Sequence, residues 1–169
     1  VEPRERAIIP LAGLRLSKSF RKVLRQDRFR VTCDTAFDQV IGECAAPREE
    51  HAESWISHRI EASYNALHLA GHAHSIECWR DGELVGGLYG VGFDRVFCGE
   101  SMFSRTDNAS KIALAWLVAA MRAAGYALLD CQFMTEHLAR MGAVALPQAR
   151  YIDLLAQAEG HPSVSLPEA

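Results

Sequence analysis

The sequence predicts an α+β domain built on one mixed sheet, and three observations carry that prediction. Three strand-like runs follow one another between His74 and Phe103 with only short turns between them. A helical period then takes over from Asn108, an apolar run at Tyr126–Gln132 reads as a further strand, and more helix follows. Strands in a hairpin series, then helix, strand and helix, give a mixed sheet rather than a bundle or a barrel. Two carboxylates, Glu100 and Asp130, stand within those apolar strand runs. A carboxylate there is costly unless it is paired or faces a cleft, so the two predict a polar site on an apolar floor.

The elements follow in order. Val1–Leu14 has no clear period and carries Pro3, Pro10 and Gly13, which predicts an extended segment. Ser17–Arg28 fits a short helix: Ser17 or Ser19 can cap it, and Phe20, Val23 and Leu24 mark its apolar edge. Phe29–Thr32 is a short strand. Ala36–Ala45 is a helix with Phe37, Val40, Ile41 and Cys44 on one stripe, stopped before Pro47. A charged loop, Pro47–Glu53, leads to Ser54, which can cap a long helix ending near Gly71.

His74–Arg80 alternates as a strand, Asp81-Gly82 is a two-residue hairpin turn, and Glu83–Phe93 is the returning strand. Gly86-Gly87 within it predicts a bulge or a close backbone approach. Arg95–Phe103 is the third strand. Asn108 caps a helix through Ala124 with Gly125 as its stop, and Tyr126–Gln132 is apolar until Asp130. Thr135 caps a short helix ending at Gly142, Pro147 starts a last helix to about Ala158, and His161–Ala169 is a frayed tail. This divides the chain into a basic segment (1–30), the main domain (31–160) and the tail (161–169).

The chain has 169 residues, 49% hydrophobic and 23% charged, values expected of a soluble globular domain. No apolar run is long enough to span a bilayer, and Val1–Pro10 is charged rather than signal-like. Five cysteines at 33, 44, 78, 98 and 131 form no CxxC, which predicts reduced thiols in a cytoplasmic protein. The net charge of −3 hides an asymmetry. Residues 1–30 hold nine Lys/Arg against three Asp/Glu, and the rest holds nine against 18. A basic arm on an acidic body suits a polyanionic partner at the arm and a cationic ligand at the body. His68, His72 and His74 are spaced by four and two residues, but no Cys or carboxylate completes a metal set, so capping and core hydrogen bonding are expected.

The element order resembles the GNAT-type acyltransferase fold. That fold usually carries a glycine-rich pyrophosphate loop before the helix that follows the meander. Here the same place holds SMFSRTDNASK, which argues against coenzyme A.

The motifs HAHSIECW, LVGGLYGV, FCGESMFS, NASKIAL and DCQ, in that order, resemble the leucyl/phenylalanyl-tRNA–protein transferase family over roughly residues 1–155. Family members usually have some tens of residues, including tryptophans near the tRNA 3′ end, ahead of the segment that Val1-Glu2-Pro3 continues. The resemblance therefore predicts a trimmed or short member with a remnant of a small N-terminal domain. It implies transfer of Leu or Phe, and also Met, from aminoacyl-tRNA to the N-terminal Arg or Lys of a protein, marking it for degradation. No cofactor and no metal are implied, and a monomer is expected.

The resemblance also implies roles. Asp130 orients Gln132, and the pair positions the attacking α-amine; an amide is too weak a base to take the proton itself. Glu100 faces the acceptor's cationic N-terminal residue. Leu88, Met102, Leu114, Leu117 and Leu129 line a pocket for the aminoacyl side chain, although each singly also suits ordinary core packing. Trp55 and Tyr64 resemble the aromatic contacts to the terminal adenosine, or pack along one helix. Lys18, Arg21, Lys22 and Arg25 suit phosphates of the acceptor stem, or form a solvated helix face. Two other activities fit the same sequence: a CoA-dependent N-acetyltransferase of this fold, and an inactive module that binds tRNA ends or N-degrons.

Overall fold

A computed structural model describes residues 5–45, 54–132 and 135–168. Its centre is a sheet of seven strands: β1 (Glu5–Ile9), β2 (Arg30–Cys33), β3 (Ala73–Arg80), β4 (Glu83–Phe93), β5 (Val96–Ser104), β6 (Leu128–Gln132) and β7 (Val144–Pro147). They lie in the order β2-β3-β4-β5-β6-β1-β7. Every pair is antiparallel except β5 with β6, which is parallel and needs a crossover helix. This is the mixed α+β arrangement that the element order predicts.

The helices are α1 (Lys18–Arg25), α2 (Phe37–Ala45), α3 (Ser54–Leu69), α4 (Ala109–Ala124), α5 (Glu136–Arg140) and α6 (Gln148–Gln157). Helix α4 is the crossover. Its Ala113, Leu114, Leu117, Val118 and Met121 are buried on the largest core, shared with Ile76, Leu88, Phe97 and Leu129 of the sheet. Helix α1 packs beside it through Phe20 against Ala109 and Ile112. Helices α2 and α3 cover the other face through Phe37, Val40, Ile41, Tyr64 and Leu67 against Ala73, Tyr89 and Val91. Helix α6 covers the adjoining part of that face, with Tyr151 packed on Ile8, Val96 and Leu128.

Local chemistry explains the ends. The Ser17 hydroxyl accepts from the Phe20 amide at 3.1 Å, and Thr135 does the same for Leu138 at 3.1 Å. Gly125 closes α4 in the left-handed region (φ 89°), and Asp81-Gly82 turns with both φ positive. Asn108 differs from expectation. It sits at the cap position of α4 but is itself left-handed and makes no side-chain cap bond. The Ser104 hydroxyl accepts from the Ser110 amide instead, at 3.3 Å.

Gly86 and Gly87 mark close approaches: a Cβ on Gly86 would lie 2.5 Å from that of Ala109, and one on Gly87 would lie 2.6 Å from the Ile76 carbonyl. Two strands were not expected. The stretch read as extended contains β1, which lies inside the sheet between β6 and β7. The last helix is preceded by β7, which among the described residues pairs with β1 alone.

Candidate active site

The ladder between β5 and β6 runs from Val96–Leu128 to Cys98–Asp130 and ends there. Immediately beyond, β5 carries a bulge. Tyr89 pairs with Ser101 and Gly90 with Gly99, so Glu100 is the extra residue. A bulge re-aims a side chain, and here Cys98 and Glu100 both face α3. The cleft there has a volume of about 760 Å³ and is lined by Arg59, Ile60, Ser63, Tyr64, Leu67, Val91, Phe93, Cys98 and Glu100. Its walls are mostly apolar, with one carboxylate at the bulge.

Tyr64 is held edge-on to Tyr89, with ring centroids 5.2 Å apart. Burial, and then the charge and hydrogen bond of Glu100, push its hydroxyl up to about 12. Tyr64 is thus a proton donor to Glu100 at neutral pH.

Asp130 lies behind Cys98 and is fully buried. Its Oδ2 accepts from Arg6 Nη2 of β1 and from the Tyr151 hydroxyl of α6. The Cys98 thiol donates to the same oxygen at 3.7 Å. The Arg6 guanidinium also lies 4.9 Å over the Tyr151 ring. Burial, followed by the Asp130 bond and charge, raises the Tyr151 hydroxyl far above its ordinary value.

The expected site residues therefore fall into groups. Glu100 and Tyr64 meet in the cleft, and Asp130 stands one thiol behind it. Gln132 ends β6, and Trp55 lies in the first turn of α3; both side chains fall outside the described residues. Leu88, Leu114, Leu117 and Leu129 are buried in the main core on the α4 face, with Met102 packed against it, and the sheet separates them from the cleft. Lys18, Arg21, Lys22 and Arg25 are exposed on α1, also on the α4 side.

Arg6, Tyr151 and Cys98 were not expected at the site. Arg6 and Tyr151 carry one weak signal each, a cation at the head of the apolar run Ala7-Ile8-Ile9 and an aromatic in a helix of mixed composition. Neither signal names Asp130 as the partner.

The histidines make ordinary hydrogen bonds: His74 Nδ1 lies 2.7 Å from Asp34 Oδ2, and His68 Nδ1 lies 2.9 Å from the Ala73 carbonyl. Glu77 is a second fully buried carboxylate. It accepts from the Thr32 hydroxyl at 2.6 Å, the Thr35 amide at 3.1 Å and the Ser75 hydroxyl. Among the described residues no helix is long and apolar enough to cross a membrane.

Comparison with known proteins gives the following. A family described as leucyl/phenylalanyl-tRNA protein transferase matches residues 8–156. A leucyl/phenylalanyl-tRNA–protein transferase of Novosphingobium aromaticivorans is 63% identical over 94% of the chain and 60% of its own length. The enzyme of the same name from Rhizorhabdus wittichii is 57% identical over 95% of the chain and 64% of its own length. The chain thus spans a little under two thirds of the length of these two relatives. Among solved structures, a conserved protein of unknown function from Bacteroides thetaiotaomicron superposes with a TM-score of 0.58 at 16% identity, covering 83% of this chain and 55% of that one. L-PGS from Bacillus licheniformis superposes with a TM-score of 0.53 at 11% identity, covering 93% and 65%. These two likenesses concern the fold alone.

Proposed function

The chain belongs to the leucyl/phenylalanyl-tRNA protein transferase family, and on that footing we propose that it moves Leu, Phe or Met from aminoacyl-tRNA to the N-terminal Arg or Lys of acceptor proteins. The observation that carries this reading is the placement of Glu100. Among the described residues lining an apolar-walled cleft it is the one carboxylate, at the point where β5 and β6 stop pairing. A carboxylate in such a setting suits a cationic side chain with an uncharged neighbour.

In the reaction, the acceptor's α-amine attacks the ester carbonyl of the charged tRNA. A C–N bond forms, the ester C–O bond breaks, and the tRNA 3′ oxygen leaves with a proton. The ester is already activated, so holding the amine and the carbonyl together supplies much of the acceleration. Glu100 selects the acceptor, Tyr64 offers an aromatic face to the terminal adenosine together with Trp55, and Asp130 with Gln132 orients the amine.

The aminoacyl side chain enters where the two strands part, toward Met102, which is only partly buried, while Leu88, Leu114, Leu117 and Leu129 form the packed core behind it. Lys18, Arg21, Lys22 and Arg25 take stem phosphates. No cofactor is required. The protein acts as a monomer in the cytoplasm, and the added residue marks the acceptor for degradation.

Single-turnover transfer from Leu-charged tRNA to an Arg-starting peptide tests the reading. We expect transfer, and a loss of peptide use in Glu100→Gln that exceeds any loss of tRNA affinity. Acetylation of the same peptide from acetyl-CoA, without transfer from tRNA, would replace this reading with the acetyltransferase one. Binding of both partners without transfer would leave a recognition module.

A further inference from the structure

We propose that Arg6 and Tyr151 are positioning residues for the transfer step, acting through Asp130; this rests on the transferase reading above.

Three donors from three separate elements converge on one atom. Arg6 reaches Oδ2 of Asp130 from β1, Tyr151 from α6 and Cys98 from β5. Two of the three also hold each other, since the Arg6 guanidinium stacks over the Tyr151 ring. The carboxylate is fully buried, and its Oδ2 is occupied by a charged donor and a phenol. That oxygen therefore cannot collect the proton that the attacking amine releases. In the proposed role Asp130 acts as a fixed charge, held where the β5–β6 ladder ends and two residues before Gln132.

A fixed charge is only as useful as its orientation. A carboxylate held by one donor can rotate about its Cβ–Cγ bond, whereas donors approaching from both neighbouring strands and from the helix above define its plane. Arg6 and Tyr151 supply that definition without reaching the cleft, as neither is among its lining residues. The two are also coupled: displacing either one disturbs the other through the stack.

The alternative is a purely structural ion pair that ties β1 and α6 to the sheet. It predicts lost stability with unaltered chemistry in whatever fraction stays folded. The two roles separate in Tyr151→Phe, which keeps the ring, its burial and its packing on Arg6 but deletes the donor.

The test is single-turnover transfer at saturating Leu-tRNA and Arg-starting peptide, with melting temperatures and both substrate affinities measured in parallel. Tyr151→Phe should lower the transfer rate constant about 10- to 100-fold, the size expected for a deleted hydrogen bond to a charged group. Both affinities should stay within about twofold. Arg6→Met should lose at least as much, and Arg6→Lys, which restores the charge, should recover part of it. An active, folded Tyr151→Phe protein with the wild-type rate constant overturns the positioning role and leaves the transferase reading intact. So does a loss that appears only in affinity or tracks unfolding. A wild-type chain that binds both substrates and transfers nothing overturns both together.

Discussion

The thiol of Cys98 lies 3.7 Å from Oδ2 of Asp130, so a residue that lines the open cleft donates directly into the buried carboxylate behind it. Cys98 thus joins the two halves of the site. Its titration is governed by the same neighbours: burial first, then the charges of Asp130 and Glu100, push the thiol up to about 12.

Cys98 should therefore be slow to alkylate despite its place in the cleft. At pH 8 its thiolate fraction is about a thousandfold below that of an ordinary cysteine. Asp130→Asn removes one of the charges that hold the proton on, so labelling should speed up in that variant. Iodoacetamide labelling followed by peptide mass spectrometry measures both. Labelling of wild-type Cys98 at the rate of a free thiol would contradict the geometry.

Glu77 gives a pH-dependent prediction. Burial raises its carboxyl above the ordinary range, against the pull of its hydrogen bonds to Ser75, Thr32, Thr35 and Ala36. The folded protein then holds this proton more tightly than the unfolded chain. The corresponding stability is fully present below the ordinary carboxylate value, about 4.3, and is lost as pH rises through the raised one. Glu77→Gln does not titrate, so its melting temperature should gain on the wild type as pH rises over that window. Glu77→Ala leaves the donors without an acceptor and should cost about 3 kcal/mol or more at neutral pH. A constant difference between Glu77→Gln and wild type across the pH series would refute the sign.

Gly90→Ala tests the packing under the bulge. The new methyl would lie 2.2 Å from the Cys98 carbonyl oxygen and 2.6 Å from the Phe97 ring. Backbone and a buried ring must both move, which should destabilise the protein by at least about 1–3 kcal/mol and displace the segment that presents Glu100. Chemical denaturation gives the first figure, and peptide affinity reports the second. Unchanged values for both would mean that β4 and β5 are spaced more widely here.

Neutralising Arg21, Lys22 and Arg25 together should weaken charged-tRNA binding, with the salt slope falling by about 0.7–0.9 for each phosphate that is no longer neutralised. All three are exposed, so the fold should tolerate the change. Transfer from a minimal aminoacyl-adenosine donor should be almost unaffected, because it lacks the stem. A salt slope equal to wild type with full tRNA would make α1 a solvated face.

Much of the domain was legible in the sequence for plain physical reasons. Helix α4 shows its period because one face meets the sheet along its whole length. The β3–β4 hairpin shows itself because Asp81-Gly82 can adopt two positive φ values in succession. Strands β1 and β7 were not legible: Pro3, Pro10 and Gly13 mark the first segment as irregular, and Pro147 reads as the start of the helix behind the second. They become strands only by pairing with each other and with β6. The site divides in the same way. Glu100 and Asp130 stood out as carboxylates among apolar neighbours, a local property. The bonds that hold Asp130 come from Arg6 and Tyr151, and a pairing across the fold leaves no mark on local composition.

The place of β1 between β6 and β7 has a consequence during synthesis. Asp130 follows Arg6 by 124 residues, and Tyr151 comes 21 residues later still. At about 5–20 residues per second, roughly 7–30 s separate the making of β1 from the making of α6. Until β6 is made, Ala7, Ile8 and Ile9 have no ladder to join, and the nascent chain carries an apolar strand open to chaperones or to another chain. A ribosome that stalls before Tyr151 leaves a polypeptide that already contains Glu100 and Asp130 but not the hydroxyl that fixes the latter. The reaction centre is thus assembled only once α6 has been made, when β1, β6 and α6 can meet.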